Sequence, residues 1–234
     1  MIGGLQPCSF IDFPGHLAAV VFTRGCNLRC KYCHNPDLCS SSAPTTMSKQ
    51  DLLRFLETRK GRLTGVVITG GEPTLHKDLL QLLSDIRFLG LSVKLDTNGT
   101  RPMVVRELIR NRLIDYAAVD IKVAPGVSSK NLCGSKNQAE AAMETLKTLV
   151  VAGIPCEART TVIDKEHSLA NLKTIAHALS EAGVKTWRLQ PVNSVRVLDP
   201  FAILIPPNRH VLAEAVNTAT AVGIDASIRG AQFV

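Results

Sequence analysis

Short apolar segments alternate with amphipathic segments along most of the chain. The apolar segments are strand-length, rich in Val, Ile and Leu, and nearly uninterrupted, which is typical of strands buried on both faces of a sheet. They cover residues 17–23, 65–70, 91–97, 116–122, 154–162 and 186–192, and residues 223–230 form a candidate last strand. The segments between them place apolar residues three and four positions apart and end in Gly, as helices do. These predicted helices cover 47–61, 76–90, 138–153 and 168–183, with Ser48 as a predicted N-cap.

Strands that alternate with helices predict a parallel α/β sheet, because each helix carries the chain back to begin the next strand. About six strand–helix units fit into the 234 residues, whereas a full TIM barrel has eight. We therefore predict a partial (β/α)6 TIM-type barrel with parallel strands, built as a single domain over residues 1–234. Three long connections, 34–47, 123–137 and 193–207, are candidate functional loops, because long loops in a compact domain tend to carry function.

Composition narrows the location and the partners of the protein. The first residues lack the charged and apolar regions of a secretory signal, and no apolar run is long enough to cross a bilayer, which predicts a cytoplasmic protein with no membrane partner. The net charge is +7, but Lys and Arg are dispersed and aromatic residues are only 4% of the chain, so nucleic acid is not a predicted partner. In a reducing compartment, clustered thiols among the seven cysteines favour metal or redox chemistry over disulfides.

The stretch TRGCNLRCKYCHNPD, residues 23–37, carries three cysteines directly after the first predicted strand. Cys26, Cys30 and Cys33 follow a C-x3-C-x2-C spacing at the carboxyl edge of the sheet, where α/β proteins place their sites. Iron–sulfur clusters are commonly held by four thiolates, so three would leave one iron open. The alternative is a closed zinc site completed by His34, although adjacent Cys33 and His34 are awkward as joint ligands.

Two glycines and an acid follow the second predicted strand, in the sequence TGGEPTL. Consecutive glycines at Gly70 and Gly71 would let the backbone approach a ligand closely, and Glu72 offers a carboxylate to a positively charged amine. The alternative is a plain strand-to-helix turn that begins with an acid.

Polar and charged residues also mark the third and fourth predicted strands. Asp96, Thr97 and Asn98 end the third strand, and Asp120 and Lys122 share one face of the fourth. Charges inside apolar segments are costly unless they are paired or bound to a ligand. A buried Asp–Lys ion pair would meet this requirement, but polar groups at the ends of four successive strands favour one shared site.

These motifs together resemble those of the radical S-adenosylmethionine (SAM) superfamily. The cysteine motif after the first strand, GGEP after the second and the polar third strand carry the resemblance. Within that superfamily, DFPGHLAAVVFTRGCNLRCKYCHNPDL, DTNG and VDIK resemble the glycyl-radical-enzyme activases, which include the activators of pyruvate formate-lyase and of anaerobic ribonucleoside-triphosphate reductase. The resemblance spans roughly residues 8–192, and the cysteine motif is its most specific part.

The resemblance implies a role for each motif residue. A [4Fe-4S] cluster whose open iron binds SAM would be held by Cys26, Cys30 and Cys33. The implied contacts with SAM are Tyr32 at the adenine, Gly70, Gly71 and Glu72 at the amino group, Asn98 at the ribose, and Lys122. A monovalent-cation site is also implied at Asp96, Thr97 and Asp120. At Gln190 the chain departs from the formate-lyase branch, which has a His there, and no SAM contact is assigned to this residue.

The implied activity is reductive cleavage of SAM to a 5'-deoxyadenosyl radical, which takes a hydrogen atom from a glycine of a partner enzyme. The partner would be a glycyl radical enzyme, and the CHNPDL context and short chain favour anaerobic ribonucleoside-triphosphate reductase. A flavodoxin or ferredoxin would supply the electron. Two alternatives stay open: a radical SAM enzyme acting on a small molecule or peptide, such as a 7-carboxy-7-deazaguanine synthase-like protein, and a metal-binding module without turnover.

Overall fold

Eight β-strands and seven α-helices occur in the part of the chain that the computed structural model describes, residues 1–42, 45–193, 195 and 197–230. The strands are β1 (Ile2–Ser9), β2 (Ala18–Thr23), β3 (Gly65–Gly70), β4 (Ser92–Thr97), β5 (Tyr116–Asp120), β6 (Cys156–Val162), β7 (Thr186–Pro191) and β8 (Asp225–Ile228). The helices are α1 (Lys49–Thr58), α2 (Leu79–Phe88), α3 (Pro102–Arg110), α4 (Lys130–Cys133), α5 (Gln138–Val151), α6 (Leu169–Glu181) and α7 (Arg209–Ala221). None of the described helices is long and apolar enough to cross a membrane.

All eight strands belong to one sheet, in which the strand order follows the sequence. The pairs β2–β3, β3–β4, β6–β7 and β7–β8 are parallel, which confirms the predicted parallel α/β architecture. The candidate strand near the end of the chain is present as β8. Strand β1 was not predicted, and it pairs with β2 in the antiparallel direction.

The start of α1 confirms the predicted N-cap. The Ser48 hydroxyl accepts a hydrogen bond from the Asp51 backbone N–H at 3.1 Å, and the Asp51 carboxylate accepts one from the Ser48 N–H at 3.3 Å. This reciprocal pair is a capping box, which satisfies two amides that the helix itself leaves unpaired.

The chain divides into two compact units. The first comprises Met1–Asn27, Asp37–Thr97 and Met103–Ala117. The second comprises Leu28–Pro36, Asn98–Pro102 and the chain from Ala118 onward.

Apolar strand residues form the core of each unit. In the first unit, Val20 and Val67 are partners across the β2–β3 ladder and pack with Phe13 in a buried cluster. In the second unit, Trp187 of β7 is fully buried, and its indole N–H donates to the Thr160 hydroxyl of β6 at 3.0 Å. These contacts explain why the strands are apolar along nearly their whole length.

Candidate active site

The predicted site residues are divided between the two compact units. The first unit holds Cys26, Gly70, Gly71, Glu72, Asp96 and Thr97. The second unit holds Cys30, Tyr32, Cys33, Asn98, Asp120 and Lys122. The cysteines and Tyr32 lie on the segment between β2 and α1, here called the cysteine segment (residues 24–36), and the other residues end β3, β4 and β5 or directly follow them.

In the first unit, the turn after β3 holds the start of the cysteine segment. The Gly71 N–H donates to the Thr23 carbonyl at 2.7 Å, and the Glu72 N–H donates to the Gly25 carbonyl at 2.8 Å. Gly25 directly precedes Cys26 in the chain. These two bonds therefore fix the backbone from which the first predicted cluster ligand extends.

Both glycines of this turn are required by the close approach of two backbones. Gly70 has a φ of +106°, and a Cβ on it would lie 2.4 Å from the Thr23 nitrogen. A Cβ on Gly71 would lie 2.2 Å from the Gly25 carbonyl oxygen. The sequence predicted that these glycines let the backbone approach a ligand, and in the structure they let it approach protein. Their contact with SAM stays a prediction.

Glu72 is fully buried and caps the turn after β3. Its Oε1 accepts hydrogen bonds from the Thr74 N–H at 3.1 Å, the Thr74 hydroxyl at 2.5 Å and the Thr97 hydroxyl at 2.7 Å. The alternative of a turn that begins with an acid therefore describes one role of Glu72. The bond from Thr97 also ties the end of β4 to this turn. A contact of Glu72 with the SAM amine stays a prediction.

Asp96 lies beside a buried lysine that was not singled out from the sequence. Lys94 Nζ is 3.1 Å from Asp96 Oδ1 and donates to the Asp12 carbonyl at 2.6 Å. Lys94 is only 2% exposed, so Asp96 supplies the counter-charge that a buried ammonium needs. The predicted monovalent-cation site stays a prediction, and a cation there would share the Asp96 carboxylate with Lys94.

In the second unit, α4 packs on the cysteine segment. The Arg29 N–H donates to the Cys133 carbonyl at 2.8 Å, and the Lys31 N–H donates to the Leu132 carbonyl at 3.1 Å. A hydrogen bond from the Cys30 side chain lowers the pKa of the Cys133 thiol to about 6. The long connection that contains α4 thus supports the residues on both sides of Cys30.

Asp120 and Lys122 form a charge cluster with Arg159 of β6. Lys122 Nζ donates to Asp120 Oδ2 at 2.8 Å, and Arg159 Nε donates to Asp120 Oδ1 at 3.0 Å. Burial opposes ionisation of Asp120, but the two cations outweigh it and lower the pKa of Asp120 to about 2. Burial also opposes the charge on Lys122, but Asp120 raises the pKa of Lys122 well above its usual range. All three side chains are charged at neutral pH, so the cluster carries one net positive charge.

Tyr32 lies beneath Lys122 and carries a buried hydroxyl. The Lys122 Nζ is 5.6 Å from the centre of the Tyr32 ring, which is a cation–π contact. Among the described residues, the Tyr32 hydroxyl has no hydrogen-bond partner. Burial raises the pKa of Tyr32, so the hydroxyl keeps its proton. Because an unsatisfied buried hydroxyl is costly, a ligand acceptor beside Tyr32 would be stabilised.

The remaining predicted residues have simpler surroundings. Asn98 Oδ1 accepts hydrogen bonds from the Thr100 N–H at 3.0 Å and the Thr100 hydroxyl at 2.6 Å, which closes the turn after β4. Its contact with the SAM ribose stays a prediction. His34 and Gln190 are exposed.

Two residues of the second unit were missed from the sequence. Arg159 follows the same rule that singled out Lys122, since it is a charge inside an apolar strand, and that rule could have found it. Gln138 carries no comparable signal, because a polar residue at the start of a helix is ordinary. Its contacts are described below.

The profile of the Radical SAM superfamily matches residues 20–186, which is more than half of the chain and includes the cysteine motif. The chain belongs to the radical SAM superfamily. Members of this superfamily use a [4Fe-4S] cluster and SAM, the cofactor pair expected from the motifs. Membership of this superfamily favours a radical SAM enzyme over the alternative of a metal-binding module without turnover.

Individual relatives point to two activities. A Methanocaldococcus jannaschii protein named as a glycyl-radical enzyme activating enzyme is 37% identical over 137 residues, which are 52% of this chain and 50% of that protein. The 7-carboxy-7-deazaguanine synthase of Halobacterium salinarum is 36% identical over 110 residues, which are 47% of this chain and 40% of that enzyme. The matched part thus spans half or less of the length of these relatives.

A solved structure supports the fold. Streptococcus suis SuiB bound to S-adenosylmethionine superposes with a TM-score of 0.72 and 17% identity, over 91% of this chain and 50% of that chain. This likeness, together with the mostly parallel sheet, bears out the predicted partial TIM-type barrel. At this identity it carries information on the fold alone.

The chemistry of the site residues suits both cofactors. None of the seven cysteines forms a disulfide bond, so the motif offers three thiols of the kind that bind iron–sulfur clusters. In the described chain no three His, Cys, Asp or Glu side chains are already gathered as a metal site, so the assignment of the cluster ligands depends on thiol chemistry and spacing. The Lys122 and Arg159 cations and the Tyr32 hydroxyl are groups of a kind that binds carboxylates and other acceptors, and their contact with SAM stays a prediction.

Proposed function

We propose that this protein activates a glycyl radical enzyme. The proposal is carried by the 37% identity over 137 residues to the M. jannaschii protein named as a glycyl-radical enzyme activating enzyme. A [4Fe-4S] cluster held by Cys26, Cys30 and Cys33 would supply one electron for the cleavage of SAM into methionine and a 5'-deoxyadenosyl radical. That radical would take a hydrogen atom from a glycine of the partner, leaving 5'-deoxyadenosine and a glycyl radical.

The cysteine segment would hold the cluster through Cys26, Cys30 and Cys33. Backbone hydrogen bonds support this segment within each unit: the Glu72 N–H of the turn after β3 donates to the Gly25 carbonyl, and the Arg29 N–H donates to the Cys133 carbonyl of α4. Such bonds limit the movement of the thiols and so favour a fixed cluster position.

The charge cluster would bind the carboxylate of SAM. Lys122 and Arg159 both donate to Asp120, so two cationic side chains lie together where an anionic group of the ligand would bind. The side chains of Arg159 and Asp120 are 27% and 28% exposed, so a ligand can reach the charge cluster. Because Tyr32 packs against Lys122, its hydroxyl would meet the same ligand. The motif resemblance separately assigns the SAM amine to Glu72.

A protein substrate fits the exposed apolar residues of the last long connection. Phe201 and Ile203 are 92% and 77% exposed, and a partner protein would cover them. We propose anaerobic ribonucleoside-triphosphate reductase as this partner, a flavodoxin or ferredoxin as the electron donor, and the cytoplasm as the location. A partner seated over the site would also exclude water from the radical chemistry.

A second candidate is synthesis of 7-carboxy-7-deazaguanine, which is favoured by the 36% identity to the H. salinarum enzyme. This activity would need a free small substrate and no glycyl radical partner. The two candidates therefore differ in whether the turnover of SAM depends on a second protein.

The test measures 5'-deoxyadenosine formed by anaerobically reconstituted protein with SAM and reductant, with and without the anaerobic ribonucleotide reductase of the same organism. We expect the reductase to increase 5'-deoxyadenosine formation. Formation of 7-carboxy-7-deazaguanine when a small-molecule extract of the same organism is added, with no effect of the reductase, would favour the second candidate. A cluster-loaded protein that forms no 5'-deoxyadenosine would contradict both.

A further inference from the structure

Gln138, the first residue of α5, is a fully buried amide bonded to the backbone of three predicted site residues. Its Nε2 donates to the carbonyls of Asn98 and Asp120, each at 2.7 Å. Its Oε1 accepts from the Lys122 N–H at 3.1 Å. The three backbone groups are two acceptors and one donor, so only one orientation of the amide satisfies all of them.

His167 holds the other backbone group of Lys122. The His167 Nε2 is 2.9 Å from the Lys122 carbonyl and donates to it, while Nδ1 accepts from the Ile163 N–H at 3.1 Å. Burial lowers the pKa of His167, so the ring is neutral and this tautomer fits both bonds. Lys122 lies beyond the end of β5, and its backbone N–H and carbonyl are both bonded to buried side chains instead of a strand neighbour.

We propose that Gln138 is the positioning residue of the SAM site, because its single amide joins Asn98 to Asp120 and Lys122 and aims Asp120 and Lys122 at the ligand. The inference rests on the proposed SAM-binding role of Lys122. Gln138 would contact neither the iron–sulfur cluster nor SAM. It would act through the backbone of residues that are proposed to contact SAM.

Helix docking alone does not account for a buried amide at this position. The apolar residues Ala139, Ala142 and Leu146 already bury the same helix. A buried amide is costly unless its hydrogen bonds are satisfied, and an apolar side chain would dock the helix without that requirement. Without Gln138, its three hydrogen bonds to these backbone groups would be lost, and the backbone of Asp120 and Lys122 would have to shift or admit water.

The experiment compares the cluster-loaded wild type with two variants, Gln138→Met and Gln138→Glu. The Met variant keeps the approximate shape and removes all three hydrogen bonds. The Glu variant keeps an acceptor for the Lys122 N–H and replaces the donating NH2 group. The matched control is Ser180→Ala, which removes a hydroxyl that donates to the Val222 carbonyl at 2.8 Å, between residues with no predicted role at the site.

The readouts are the dissociation constant of SAM by equilibrium dialysis, iron per chain and the thermal midpoint. We expect the Gln138→Met variant to bind SAM about 10- to 100-fold more weakly, by analogy with the loss seen when a residue that orients a metal ligand is replaced, with iron content unchanged. The Glu variant should weaken binding in the same direction. Ser180→Ala should lower the thermal midpoint and leave SAM affinity unchanged.

Three outcomes would overturn the positioning role. One is wild-type SAM affinity in both Gln138 variants; another is an equal loss of affinity in Ser180→Ala. The third is failure of both Gln138 variants to fold where Ser180→Ala folds, because Gln138 would then determine folding instead of ligand position. If the wild type itself does not bind SAM, the proposed function fails, and that result is distinct from all three.

Discussion

Replacing Gly71 with Ala tests whether the turn after β3 fixes the cysteine segment. The added Cβ would lie 2.2 Å from the Gly25 carbonyl oxygen, whereas such atoms essentially never approach closer than 3.0 Å. The two backbones must therefore separate by at least 0.8 Å, the difference between these distances. That movement would break the bond of 2.8 Å from the Glu72 N–H to the Gly25 carbonyl. Overpacking costs about 1–3 kcal/mol and the lost bond about 1 kcal/mol, so we expect a loss of about 2–4 kcal/mol in unfolding free energy.

The assay combines urea unfolding with measurement of iron per chain after anaerobic reconstitution. The control is Gly90→Ala, because Gly90 has a φ of +80° and a Cβ there would meet nothing within 4 Å. It should lose about 1–2 kcal/mol from its left-handed backbone but keep its iron. Gly71→Ala should lose more stability and bind less iron, because Gly25 precedes the ligand Cys26. Wild-type stability and iron content in Gly71→Ala would refute this reasoning.

Three further predictions test individual site residues. Cys30→Ala should abolish binding of the [4Fe-4S] cluster and formation of 5'-deoxyadenosine, because it removes one of three thiolates. The control Cys8→Ala, at an exposed cysteine, should change neither. Full activity of the Cys30 variant would contradict the assignment of Cys30 as a ligand of the iron–sulfur cluster. The Asp120 pKa falls from 3.8 to about 2 on folding. Ionised Asp120 therefore adds about 2 kcal/mol to the free energy of unfolding, and this contribution is complete above about pH 4 and is lost as the pH falls toward 2. Asp120→Asn should flatten this part of the pH–stability profile measured by urea unfolding, and an unchanged profile would contradict the charge cluster. Glu72→Gln keeps the Oε1 acceptor of the turn and removes the negative charge. The variant should therefore bind SAM more weakly than the wild type while its soluble yield is maintained. SAM affinity equal to that of the wild type would mean that Glu72 only caps the turn.

The sequence pattern predicted the parallel strands well because their apolar runs are local signals. Residues 65–70 were predicted as a strand and form β3 with the same ends. Strand β1 was not predicted because Gly3, Gly4 and Pro7 weaken its strand pattern and because part of the strand is exposed. Its formation depends on antiparallel pairing with β2, which is a contact that no local pattern reveals.

For the site, the sequence located residues but not the surroundings that determine their roles. Gly71 was identified correctly as a position of close approach, yet what approaches it is the Gly25 backbone. Asp120 and Lys122 were identified by charge, whereas Arg159 joins them only because β6 brings it to the end of β5. The Gln138 side chain bonds backbone atoms, which nearly every residue has, so the sequence carries no signal that identifies its partners.

The most direct test of the central proposal is electron paramagnetic resonance on anaerobically reconstituted protein mixed with reductant, SAM and the anaerobic ribonucleotide reductase of the same organism. The proposal predicts a glycyl radical doublet on the reductase that depends on SAM, with 5'-deoxyadenosine in the same sample. Formation of 5'-deoxyadenosine without a doublet on this or any other glycyl radical enzyme of the organism would contradict the activase function.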